Sequence, residues 1–297
     1  MKRNYKILGI LVALSVFLCG VITSCCFVPE KSDTLDKSKL TLVWEDNFNG
    51  SELDTEKWNR VIWSSGEVNN ELQAYVDNKD FIIDDPAASD KKALRIYAVG
   101  GGNNWQSGRI DTSGNFNFKY GYAEARIRLP IAYDENGNVV KNTGAWPAFW
   151  MMPENVQDTE GGVYGIWPRS GEIDILEYSP STSGNKVYAT LHHSTSQAAP
   201  AVDSYSTLGS TTMYADGKYH TFGMMWTEGI LEAFYDGKSL GVVYANSGNG
   251  DWAKWPYDQP YYLILNLAMG GNLGGAVNEE IRTVNYDIDY VKVYKIK

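Results

Sequence analysis

Residues 120–130, YGYAEARIRLP, alternate without interruption: Ala123, Ala125, Ile127 and Leu129 point one way, Tyr122, Glu124, Arg126 and Arg128 the other. A two-residue period belongs to a strand with one buried face; on a helix the same residues would scatter around the axis. Similar short runs recur at 186–193, 220–226, 231–235, 239–244, 261–268 and 286–294, separated by Gly, Asn, Asp and Pro clusters. No long helical period intervenes, and Asp236-Gly237 predicts a hairpin turn. Many short strands punctuated by turn signals predict an all-β sandwich of antiparallel sheets. Loops are expected at 84–92, 133–144, 153–170, 194–215 and 246–259, and no internal repeat is apparent.

One strand carries unusual chemistry. In GEIDILEY, 171–178, Glu172 and Asp174 share a face while Ile173 and Ile175 fill the other, and Glu177 has the wrong parity. A β-bulge at Ile175–Leu176 would restore it and bring all three acids to one side. Three like charges along a strand face are costly where stability alone matters. The readings open at this point are a solvated strand face, a metal site, and a carboxylate pair for glycoside hydrolysis. With the bulge, the Cα atoms of Glu172 and Glu177 lie roughly 13 Å apart along the strand. Side chains leaning together would close that to about 5–5.5 Å, the separation of a retaining glycosidase. A metal site is disfavoured because no histidine lies on the strand itself.

The chain ends and charge narrow the setting. Lys2, Arg3 and Lys6 precede an apolar run from Ile7 to Ile22, short for a membrane-spanning helix and suited to a signal peptide. Ile22-Thr23-Ser24-Cys25 resembles a bacterial lipobox, in which Cys25 is lipidated; the alternative is an ordinary secretory signal with incidental cysteines. Cys19, Cys25 and Cys26 are the three cysteines, so the mature domain has no disulfide or thiol chemistry. The expected organisation is a signal at 1–24, a polar tether at 25–38 and one domain at 39–297. Loss of the signal takes the net charge from −10 to about −13, which argues against nucleic acid and anionic membrane surfaces as partners. The membrane is then reached only through the lipid, at a bacterial cell envelope. Ten Trp and twenty Tyr can stack on sugars or fill a core.

GEIDILEY resembles the signature of glycoside hydrolase family 16 in its bulged, laminarinase-like form, E-x-D-x-x-E. The likeness runs from residue 43 to 294, through WEDNFNG, NNELQAY, SGRIDT, YGYAEARIRLP, GAWPAFWMMP, TLHH, YHTFGMMW, YLILNLAMGGNLGG and DYVKVY in order. It implies a β-jelly-roll sandwich with a concave glycan-binding cleft. The implied activity is endo-acting, retaining hydrolysis of β-1,3-glucan or mixed β-1,3/1,4-glucan. A β-galactanase of the agarase or carrageenan-cleaving type and a non-catalytic glucan-binding module are the alternatives; both glutamates are present, which favours catalysis.

The resemblance assigns Glu172 as nucleophile and Glu177 as acid/base, with Asp174 assisting between them. It places Trp146 and Trp167 as sugar-stacking platforms, and Phe149 and Trp150 as core or supporting residues. Asn70, Glu71 and Arg109 would bind sugars toward the non-reducing end, or else brace the cleft rim. By parity His192 shares a face with Tyr188 and Thr190 and is either the family's cleft histidine or a core histidine; His220 reads as structural. Asn266 opposes Leu263, Leu265 and Leu267 in parity, so it points into the cleft or satisfies a loop. No cofactor is implied for catalysis. A structural Ca²⁺ on the convex face would use Asp289, and a monomer is expected.

Overall fold

The computed structural model describes residues 33–154, 164–180, 184–195, 202–245 and 254–297, all within one compact unit. The segment carrying Cys25 lies outside these residues, as do parts of three expected loops. Two sheets face each other. One runs Asp203–Thr212, Lys186–Ser194, Glu172–Ser179, Ala145–Pro153, Tyr261–Met269, Arg109–Asp111 and Asn59–Arg60 from edge to edge, with every neighbouring pair antiparallel. The other is built around Gly121–Tyr133 between Tyr219–Thr227 and Thr283–Ile296. In it, Leu40–Asp46 pairs with Thr283–Ile296, and the only parallel pairing among the described residues joins Gln73–Tyr75 to Asn104–Ser107.

Alternation builds the core. Ala123, Ala125, Ile127 and Leu129 are buried from one sheet, against Ile173, Leu191, Phe149, Met151, Leu263, Leu265 and Leu267 from the other. Sheet-on-sheet burial of this kind drives the fold at about 25 cal/mol per Å² of apolar surface. Much of the aromatic content goes there: Trp58, Trp105, Trp226, Tyr178, Tyr257, Tyr261 and Tyr286 are fully buried. Asp236 (φ 46°) and Gly237 (φ 73°) make the expected hairpin, leaving Tyr235 opposite Lys238, the left-handed pair such a two-residue turn requires.

Two strands depart from the sequence reading. The 194–215 stretch is not all loop: Asp203–Thr212 forms the edge strand of the first sheet. Its Ser- and Thr-rich sequence hides the alternation, because an edge strand is wet on much of both faces. Ala145–Pro153 shows no alternation either, being apolar on both faces and carrying Pro147 and Pro153. Asp289, the residue expected at a Ca²⁺ site, is 1% exposed. Its Oδ1 accepts from the Ser89 amide (2.9 Å), and its Oδ2 from the Ser89 hydroxyl (2.8 Å) and the Arg126 guanidinium. An arginine already neutralises the carboxylate expected to hold Ca²⁺. His220 is structural, held between Asp236 (2.8 Å) and Asp216 (3.3 Å).

The end of the expected tether is part of the domain. Leu35 donates to Gly237 O (2.8 Å), Ser239 donates to Asp33 O (3.1 Å), and Lys37 Nζ reaches Glu124 Oε1 at 2.6 Å. Glu124 is 1% exposed and also accepts from the hydroxyls of Tyr122, Tyr290 and Tyr294. Lys37→Ala should therefore leave a buried carboxylate with hydroxyl donors but no cation. We expect a loss of about 1–2 kcal/mol, seen as a lower denaturant midpoint at unchanged slope. An unchanged midpoint would show that the contact adds nothing to stability.

Candidate active site

Gly171 sets where the catalytic strand begins. At φ 83° it takes a backbone shape that side chains resist. A Cβ there would sit 2.4 Å from the Tyr261 hydroxyl and 2.6 Å from Pro256. The strand Glu172–Ser179 follows, and its register shows the extra residue. Asp174 pairs with Thr190 and Glu177 with Tyr188, so two steps on one strand span three on the other. On the opposite side Trp150 faces Asp174 while Phe149 faces Leu176. Ile173, Ile175, Leu176 and Tyr178 are buried in the core. The bulge thus absorbs the odd spacing, leaving Glu172, Asp174 and Glu177 on the other face.

Each acid has its own partners. The Trp167 indole donates to Glu172 Oε2 at 2.9 Å, and the Trp146 indole donates to Glu177 Oε1 at 3.2 Å. Asp174, 2% exposed, hydrogen-bonds Glu172. Burial, then the charges of Glu172 and Glu177, hold the Asp174 carboxyl well above the usual range. Burial also raises Glu172, against the lowering influence of His192, Asp174 and Trp167. Burial and the charge of Glu172 push Glu177 up to about 7. At neutral pH a substantial fraction of Glu177 is therefore protonated, beside a Glu172 whose carboxyl is the acceptor for the Trp167 indole.

The neighbouring strand brings in a histidine that the catalytic strand lacks. Glu172 pairs directly with His192, whose Nε2 lies 3.4 Å from Asp174 Oδ2 and whose Nδ1 lies 3.1 Å from Asp203 Oδ1. Donor atoms of Glu172, Asp174 and His192 all lie within 4.8 Å of one another, the closest approach to a metal-binding group among the described residues. Hydrogen bonds from Trp167 and between the acids already occupy this set.

The other predicted residues divide by depth. Trp146 and Trp167 stand beside the acids, and Trp167 is 40% exposed. Asn70 lies on the rim, its amide donating to Asn272 (2.8 Å). Arg109 is buried between two indoles, its guanidinium 4.2 Å from the Trp63 ring centre and 4.9 Å from that of Trp150. Glu71 and Asn266 sit beneath the surface and brace it. Glu71 accepts from Gln73 (2.6 Å) and Tyr75 (3.2 Å). The Asn266 amide accepts from Trp150 (2.7 Å) and donates to Tyr75 (3.0 Å). Sequence reasoning missed Trp63, Tyr75 and Asp203, because none lies in a run with a period and none of their contacts leaves a pattern in the chain.

The Glu177 shift has a measurable cost. Its folded-state value is raised above the ordinary 4.5, so its contribution to stability is full below that value and is lost as pH rises toward about 7. Glu177→Gln, neutral throughout, should be more stable than the wild type at pH 8 by about 1–3 kcal/mol. The two should melt together near pH 4. Parallel stability curves across that range would contradict the assignment.

Comparison with known proteins agrees with this geometry. The profile described as "Glycosyl hydrolases family 16" matches residues 55–292. A protein named "Beta-glucanase" from Rhodothermus marinus is 31% identical over 95% of this chain and 94% of its own length. A "Glucan endo-1,3-beta-glucosidase" from Cryptopygus antarcticus is 34% identical over 84% of this chain and 90% of its own. The crystal structure of a laminarinase from Flavobacterium sp. UMI-01 superposes with a TM-score of 0.67 at 34% identity, covering 86% of this chain and all of that one. The chain belongs to glycosyl hydrolase family 16.

Proposed function

We propose that this protein is an endo-acting, retaining β-glucanase that cleaves β-1,3-glucan or mixed β-1,3/1,4-glucan by double displacement. The observation that carries the reading is the placing of Glu172 and Glu177 on one face of a bulged strand, each held by its own indole. Glu172 attacks the anomeric carbon while Glu177 gives its proton to the departing glycosidic oxygen. The resulting ester between Glu172 and the sugar is broken by water, whose proton Glu177 takes. The neutral Asp174 holds the Glu172 oxygen that does not attack, and its own proton stays clear of the transfer. Trp146 and Trp167 serve as platforms for the sugars on either side of the scissile bond. Asn70 and Arg109 shape the cleft toward the non-reducing end, with Glu71 and Asn266 orienting the floor, and His192 lies on the leaving-group side. The similarity to proteins named for glucan hydrolysis supports glucan as the substrate class.

Laminarin, barley β-glucan and agarose, each followed by NMR during the first minutes, test the activity. Hydrolysis of either glucan to mixed oligosaccharides with the β-anomer appearing first is expected. An initial α-anomer would refute double displacement, and cleavage of agarose alone would move the enzyme to the β-galactanases. The two alanine variants should also fail differently. Glu177→Ala should lose most activity on polysaccharide yet retain more on an aryl β-glycoside with an acidic phenol, and azide should rescue it to a β-glycosyl azide. Glu172→Ala cannot form the ester and should gain nothing from the activated substrate. Identical behaviour of the two would refute the assigned roles.

The enzyme is further proposed to be anchored at a bacterial cell envelope by lipid on Cys25. The lipobox-like ITSC motif supports this, with the polar stretch from Cys26 to the docked residue Asp33 as the tether. Mass spectrometry of the membrane fraction should find acyl chains on Cys25. An unmodified soluble protein whose mature end lies elsewhere would refute the anchor.

A further inference from the structure

We infer that Asp203 is a positioning residue for the catalytic pair, holding the His192 imidazole as a cation against Glu172 and Asp174. The inference rests on the assignment of Glu172 and Glu177 proposed above. Asp203 opens the edge strand Asp203–Thr212 and pairs with Ser194, two residues from the point where Tyr205 pairs with His192. Two-residue spacing puts Asp203 and Tyr205 on the same face as His192. Asp203 Oδ1 meets Nδ1 of the ring at 3.1 Å, while Nε2 lies 3.4 Å from Asp174 Oδ2. That Asp174 oxygen is buried and has no hydrogen bond of its own. A ring with a carboxyl oxygen at each nitrogen is best served by a proton on both, which is the imidazolium.

The charges around the ring agree. Glu172, Asp174 and Glu177 face it from the catalytic strand, and Asp203 from the edge strand. Arg109 also acts on Glu172, lowering it. The rings of Trp167 and Tyr205 flank His192 with centres 6.1 Å away, and the Tyr257 hydroxyl ties down its main-chain carbonyl at 2.7 Å. Burial works against the cation, but Glu172 and Asp203 outweigh it and the imidazole rises above its ordinary value. A cation there lowers both Glu172 and Glu177, keeping the nucleophile ionised and preventing the acid from becoming too weak to give up its proton.

The sign of one experiment separates this role from a direct one. Asp203→Asn removes a negative charge, and acting directly this would strengthen the acids and move the acidic limb of kcat/KM to lower pH. Acting through His192, the same change discharges the imidazole, weakens the acids and moves that limb to higher pH. We expect an upward shift of about one pH unit on laminarin, with no upward shift when Asp203→Asn is added to His192→Gln. Asp203→Glu, which keeps the carboxylate, should restore the limb. A limb that stays in place or moves down overturns the inference, even if melting temperature falls. The imidazole signal of His192, one of three histidines, provides a readout independent of activity. By ¹⁵N NMR its midpoint should lie above 6.5 in the wild type and drop in Asp203→Asn, and an unmoved midpoint also overturns it. A wild type inactive on both glucans would instead count against the proposed function, while the NMR titration would still decide the Asp203–His192 pair.

Discussion

A strand turns alternate side chains to opposite faces, and Glu172 and Glu177 are an odd number of residues apart, so a regular strand would drive one of them into the core. The bulge between Asp174 and Glu177 resolves the conflict by fitting three residues of this strand against two of Lys186–Ser194. Much else depends on that register. It sets Glu172 opposite His192, leaves both Ile175 and Leu176 to the core, and lets the indoles of Trp146 and Trp167 each reach a different glutamate.

Placing three carboxylates side by side on a partly dry face has an electrostatic consequence that serves the chemistry. Like charges this close resist ionising together, and burial with the charges of both glutamates holds Asp174 well above the usual range. Glu177 follows at about 7, while Glu172 has donors on both sides and the nearby imidazole. On the roles proposed above, the strand sorts three chemically similar groups into a brace, an acid and a nucleophile, which is the separation a retaining glycosidase needs. Such an arrangement costs stability, and the surrounding fold offsets it. The opposite face of the same strand is packed into an apolar core, and Gly171 is wedged against Tyr261 and Pro256 at its start.

Around the acids, buried polar groups support residues that are closer to the cleft. Glu71, Tyr75, Asn266 and Trp150 form a chain of hydrogen bonds, and Arg109 lies between the rings of Trp63 and Trp150. Networks of this kind hold aromatic surfaces at fixed angles. The same economy appears on the far sheet, where Asp289 meets Arg126 and Glu124 meets Lys37.

What the amino-acid sequence determined by itself was local and periodic. Alternation in 120–130 marked the inner face of a sheet, Asp236-Gly237 marked the hairpin, and the spacing of Glu172, Asp174 and Glu177 demanded a bulge. These are legible because a strand's period and a turn's backbone preferences act over a few neighbouring residues. The tertiary structure alone decided the partners. Nothing near Asp203 in the chain marks its strand or its histidine, nothing near Asn266 indicates that its amide is already engaged, and nothing near Asp289 places an arginine beside it. Those outcomes depend on the register between strands far apart in sequence. Register is set by how two whole sheets bury their apolar faces together, a property no short stretch of residues carries.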